Sequence, residues 1–248
     1  MIKAAWYPVF LKEMLHFRHK LFKLGFLFST MMVPIIYLIA FGFGLGRSVK
    51  IGEGDYLTFL IPGLAAMSSM SNSYTWVTGA LALDRIYFKT FQIFVQAPIP
   101  PSAIMIGEVL AAMFRGLFAS SLIVVVGLIA SPKFSLGPIF ILTLFLNSFL
   151  FASLGVVVGM RAKSHEDTAI YSNFFIMPMA FFSGTFFPIE KIPVLFKVII
   201  QILPLTYTNI LIRKDTWDTE ALIALGVITA YALIFFMFGS KLIKDYSE

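Results

Sequence analysis

The sequence predicts an all-α integral membrane protein with six transmembrane helices, and three observations carry that prediction. Of 248 residues, 59% are hydrophobic and 13% charged, with a mean hydropathy of +0.89. Soluble domains carry about 25% charged residues. The charges leave long uncharged runs between them, and those runs are continuously apolar instead of alternating. That pattern excludes lipid-facing strands. The composition likewise excludes a soluble enzyme, a disordered chain and a coiled coil. Cysteine is absent, so there is no disulfide framework or thiolate metal site.

Taken in order, residues 1–23 form an amphipathic interfacial helix. Trp6, Phe10, Met14, Phe17 and Leu21 recur at helical spacing on one face, with Lys12, Glu13, His16, His19, Lys20 and Lys23 on the opposite arc. The apolar face is expected in the acyl region and the basic face near anionic headgroups. This helix serves as a topology anchor or also touches a cytoplasmic partner. Spans are expected at 24–46, 56–83, 102–129, 134–160, 168–189 and 221–240. Each suits the roughly 20 residues that cross a bilayer.

Eleven Lys and Arg fall on the side of the termini and seven on the other, with Arg115 inside a span. Five of the eleven precede the first span, so both termini are expected in the cytoplasm, in a cell (inner) membrane. The net charge of +6 therefore reports topology and membrane lipids as neighbours, not nucleic acid. No apolar stretch with a cleavage site stands at the start.

Three segments depart from a plain bundle. Residues 84–96 are helix-compatible and end at Ala97-Pro98-Ile99-Pro100-Pro101. The segment presents Tyr87, Phe88, Phe91, Phe94 and Val95, either as a knob for a partner's groove or as interfacial aromatics. Glu108 and Arg115 share a helix face about 10 Å apart, too far to pair without bending or a bridging group. They form a polar lock, or they snorkel to the interface. Residues 190–204 are too short to cross and are bounded by Pro188, Pro193 and Pro204. They read as a re-entrant outer helical hairpin before span six, following Phe181-Phe182-Ser183-Gly184-Thr185-Phe186-Phe187-Pro188-Ile189. Thr216-Trp217-Asp218-Thr219-Glu220 caps the last span.

This order of parts resembles the ABC-2 type permeases of ABC transporters over essentially the whole chain. It looks most like the branch holding the nodulation-factor exporter and bacterial multidrug-type permeases. The residues that carry the resemblance are Gly42-Phe43-Gly44-Leu45-Gly46, the run Tyr56 to Met67, Gly107-Glu108 with Arg115, and Phe182 to Pro188 with Leu203-Pro204-Leu205-Thr206-Tyr207. The resemblance implies one transmembrane domain over 1–248 and a cytoplasmic coupling helix at 84–96, with Asp84, Arg85, Tyr87, Phe88, Phe91, Phe94 and Val95 in a cleft of the ATPase subunit. Relatives have a more acidic, Gly-containing version there, and only Asp84-Arg85 is kept. An outer gate would comprise Phe182, Gly184, Phe187, Pro188 and Pro204. The permease would pair with a second copy, as a homodimer, and Gly155 with Gly159 would allow close helix approach.

The chain has no Gly-x-x-x-x-Gly-Lys-[Ser/Thr] loop, so ATP and magnesium are expected on a separate ABC nucleotide-binding ATPase. No cofactor, metal site or catalytic residue is read in this chain: His16, His19 and His165 lack a convergent set, and Gly-x-Ser-x-Gly is missing. The sequence reading is thus the permease subunit of an ATP-driven exporter for an amphipathic substrate such as a lipo-oligosaccharide, glycolipid or drug. Its 28 Phe, with Met67, Met70, Asn72, Tyr74, Asn147, Ser148, Asn173, Met177 and Met179, line that path or merely pack the bundle. The rivals are a membrane-embedded lipid-modifying enzyme and a passive channel or scaffold. A co-purifying ATPase separates them.

Overall fold

A computed structural model of the protein describes residues 5–21, 24–45, 55–132, 134–189 and 194–246. Expectations on residues 1–4, 22–23, Gly46, Arg47, Lys50, Lys133 and 190–193 lie outside them. All described elements are helical, with no strand among the described residues. Among the described residues, three helices are long and apolar enough to cross a membrane: α5 (Pro101–Ala130), α6 (Pro138–Arg161) and α11 (Thr219–Lys244).

The longest helix, α3 (Tyr56–Ile86), is the organising element, packing along α5 and α6. It is also the most polar of the long helices, because the run Ser68 to Thr75 turns largely inward. Ser69 and Ser148 hydroxyls lie 2.6 Å apart, Asn147 Nδ2 donates to the Ala66 carbonyl at 3.0 Å, and Thr78 Oγ1 donates to the Gly155 carbonyl at 3.1 Å. Such bonds hold helices together where lipid offers no hydrophobic contrast. Asn147 and Ser148 are thereby tied into the bundle, and Tyr74 is buried as well. A Cβ on Gly155 would stand 2.8 Å from the Tyr74 carbonyl, so only glycine allows that crossing. By contrast α11 buries 22% of its apolar stretch, against 61% for α6. Its Leu222, Ile223, Leu233, Ile234, Met237 and Phe238 face outward.

Prolines shape the remaining helices. In α2 (Leu24–Tyr37), Pro34 interrupts the hydrogen-bond ladder, and the chain continues as a wider π-helical turn over Leu38–Leu45. The stretch from α7 (His165–Tyr171) to α8 (Met177–Phe182) repeats this device, with π-helical Ser172–Ile176 placed before Pro178. Ser164 caps α7 by accepting from the Asp167 amide at 3.1 Å, and the Asp167 carboxylate accepts back from the Ser164 amide. Then α9 (Val194–Ile202) and α10 (Pro204–Leu211) form a helical pair, α10 packing on α11. At the other end, α1 (Tyr7–Leu21) lies across α5, and a short α4 (Phe91–Gln96) follows α3. Tyr246 packs against Phe91, with ring centroids 5.4 Å apart, so both chain ends meet at this end of the bundle.

Candidate functional site

The terminal end is built on the approach of α1 to α5. Gly107 makes that approach possible: a Cβ there would stand 2.7 Å from Val9 Cβ and 2.8 Å from the Trp6 carbonyl. The face of α1 so buried is Val9, Glu13 and Phe17, four residues apart each time. It runs between the two arcs read from the sequence, so an acidic side chain enters the protein with the apolar ones. His16 and His19 remain exposed.

Glu13 is 2% exposed and saturated with donors. Its Oε2 accepts from Arg115 Nη1 at 3.2 Å and from Trp76 Nε1 at 3.1 Å. Arg115 also donates to the Glu13 carbonyl and lies flat over the Trp76 ring, 3.6 Å from its centre. Lys12 pairs with Glu13 Oε1 at 3.1 Å and with Asp84 Oδ2. Burial works against the Lys12 ammonium, but Glu108, Glu13 and Asp84 outweigh it and hold its pKa above the usual lysine value. Glu108 is 2% exposed, with Oε1 lacking a hydrogen-bond partner, and interacts electrostatically with Glu13, Lys12, Asp84 and Arg115. The Arg115 ion pair given by the structure goes to Glu13, not to Glu108. Both residues are buried inside the protein, with α1 packed over them.

Asp84 belongs to the last turn of α3, and the helix expected over 84–96 is split at 87–90. Lys89 takes the left-handed conformation at φ 56°, and Thr90 Oγ1 donates to Asp84 Oδ1 at 2.9 Å, closing the corner. Arg85 donates to the Gly159 carbonyl at 2.7 Å and lies 5.2 Å from the Tyr246 ring centre, binding α3 to α6. Tyr87, Phe88 and Ile93 are 65%, 67% and 66% exposed. Phe91 is buried, while Phe94 and Val95 are half-buried. The seven residues thus divide into an outward group and an inward group.

At the opposite end, residues 183–187 are irregular and mostly buried, which backbone tolerates only when its polar groups are satisfied. Three successive donors do this. Asn209 Nδ2 donates to the Ser183 carbonyl at 2.9 Å, Arg213 Nη2 to the Thr185 carbonyl at 3.3 Å, and Tyr56 Oη to the Phe186 carbonyl at 2.8 Å. Gly184 has φ +78°, where a side chain would be strained. Gly63 lets α3 come close: a Cβ there would be 2.8 Å from the Thr185 carbonyl. Phe182 and Phe187 face outward, Pro188 is half-buried and Pro204 is buried at the first turn of α10.

Sequence reasoning missed Glu13, Trp76, Tyr56, Asn209 and Arg213 as site residues. One signal was present: Glu13 is the sole acid in residues 1–23.

The chain matches the family model described as ABC-2 type transporter over residues 16–215. It is 30% identical over 219 residues to Nodulation protein J of Rhizobium leguminosarum bv. viciae, covering 85% of this chain and 83% of that protein. It is 26% identical over 225 residues to the inner membrane transport permease YadH of Escherichia coli K12, covering 87% and 88%. Nodulation protein J of Rhizobium meliloti is 28% identical over 217 residues, 85% of this chain and 82% of that protein. With its apolar helices, its inward-facing polar seams and a match over most of its length, the chain belongs to the ABC-2 type transporter family, as a membrane permease.

Proposed function

We propose that the chain is the membrane-spanning subunit of an ATP-driven exporter, moving an amphipathic substrate outward by alternating access. It acts as one transmembrane domain with six spans at 24–46, 56–83, 102–129, 134–160, 168–189 and 221–240, both termini in the cytoplasm. A separate ABC ATPase holds the ATP and magnesium, and a second copy of the chain completes the permease. Residues 84–96 are the coupling segment, while the re-entrant 190–204 region with Phe182, Gly184, Phe187, Pro188 and Pro204 is the outer gate. The buried Glu13–Arg115 pair with Glu108 and Lys12 locks α1 to the bundle beside that coupling segment.

The observation that carries this reading is the corner at 87–93. Tyr87, Phe88 and Ile93 project from a corner closed by Thr90 and Asp84, at the end of the bundle rich in Lys and Arg. Exposed aromatic anchors on a fixed support suit insertion into a groove of another protein. The test is Tyr87→Asp with Phe88→Asp, both at exposed positions, in the complex with the partner ATPase. The expected outcome is association at least about tenfold weaker, the loss of one anchoring side chain, and loss of substrate-stimulated ATP hydrolysis. Unchanged association and hydrolysis would remove the coupling assignment. Phe91 is unsuitable for this test because it is buried within the bundle.

A further inference from the structure

We propose that the cavity between α1, α3, α5 and α7 binds the anionic headgroup of a membrane amphiphile whose chain lies in the groove between α2 and α3. The cavity holds about 270 Å³, and its walls carry Lys20, Arg115, His16 and His165 with Trp76. No acid lines it among the described residues. The carboxylate hydrogen-bonded to its wall, Glu13, stands behind Arg115 and Trp76 and fixes both of them, and Glu108 also acts on Arg115 electrostatically. Arg115 is 3% exposed, yet its Nε–H has no acceptor in the protein. The Lys20 ammonium lies 4.2 Å from the Trp76 ring centre, giving a cationic and amphipathic rim. A phosphodiester would give the Arg115 Nε–H an acceptor and would carry a charge opposite to that of the Lys20 and Arg115 walls.

The second half of the site is geometric. A groove of about 430 Å³ shares Thr30, Asn72 and Thr75 with the headgroup cavity and continues along α2 and α3 past Val33, Pro34 and Met67. The donors come from α1, α5 and α7, while the continuation runs between α2 and α3. That is the order of parts in an amphiphile standing in a leaflet: charged head at the interface, chain in the apolar layer. A free phosphate would use the first cavity and leave the groove without purpose. Naming the ligand as cargo rests on the exporter reading. Binding itself does not, because it is measured without nucleotide or partner subunit.

The test uses the full chain in lipid nanodiscs, with Trp6→Phe and Trp217→Phe leaving Trp76 as the only tryptophan. Phosphatidylglycerol and phosphatidylcholine with brominated chains serve as quenchers at equal mole fraction. The expected result is an about fivefold preference for the anionic lipid, the order set by one ammonium beside an anionic headgroup. Lys20→Gln should abolish the preference and Lys20→Arg should keep it. Lys241→Gln, the same charge change outside the cavity, should also keep it. Equal quenching by both lipids, or an undiminished preference in K20Q, would overturn the site. Release of the brominated lipid by millimolar inorganic phosphate would overturn the assignment to an amphiphile, while unchanged quenching under phosphate supports it.

Discussion

The two ends of the bundle solve one problem with different chemistry. Each must hold a peripheral element against the bundle: α1 against α5 on one side, and residues 183–187 with α10 against α3 on the other. The terminal end uses ionisable groups: Lys12, Glu13, Asp84, Glu108 and Arg115, three acids to two bases. The opposite end holds its irregular backbone with donors on carbonyls, Tyr56 and Asn209 neutral and Arg213 the one cation of the three. A neutral donor on a carbonyl is short-ranged and tied to one geometry. Buried ions act over longer distances, and each depends on several others. The neutral end is therefore suited to fixing a shape, and the ionic end to an element whose position answers to its neighbours.

This contrast can be broken most strongly at Arg115. Arg115→Met leaves Glu13 buried without its main partner and should cost about 3–5 kcal/mol, measured by denaturant unfolding in micelles. Adding Glu13→Gln should restore much of that loss, because the charge left behind is the penalty. At the neutral end, Asn209→Leu leaves the Ser183 carbonyl unsatisfied and should cost about 1–3 kcal/mol, with no dependence on pH. Tyr56→Phe removes one hydroxyl from the Phe186 carbonyl and should cost about 1 kcal/mol in the same assay.

The smallest effect is a slope. Although His16 is exposed, partial desolvation at the cavity wall, then the nearby Lys20, holds its imidazole below the ordinary value of 6.5. A base kept neutral in the folded state adds stability present above the unfolded value and lost as pH falls through it. Melting temperature should therefore drop as pH is lowered from about 6.5, and His16→Gln should flatten that drop. An equally steep drop in the variant would move the origin elsewhere in the charged cluster.

Much of this was legible from local spacing. Uncharged runs marked α6 and α11, an apolar stretch holding Glu108 and Arg115 marked α5, proline punctuation marked the breaks around 97–101 and at 204, and the early apolar repeat marked α1. What was not legible required distant partners. Glu13 looked like a headgroup-facing acid because its partner, Arg115, lies 102 residues away. The polar run of α3 could line a path or pack the bundle, and its residues divide: Ser69 and Ser73 turn toward α6 and α5, while Ser68, Ser71, Asn72 and Thr75 line the groove beside α2. The split at 87–90 carried no glycine to announce it, since Lys89 itself adopts the left-handed turn. The carbonyls of 183–186 could be suspected of needing donors, yet nothing in their sequence named Tyr56, Asn209 or Arg213.

The Arg85 contact has a mechanical consequence. Its Nη1 reaches the Gly159 carbonyl, so the lower ends of α3 and α6 are stapled beside the corner at 87–90. A force applied to residues 91–96 then has no loose hinge in which to dissipate at that junction. It arrives at two beams together, as a torque on the α3–α6 pair.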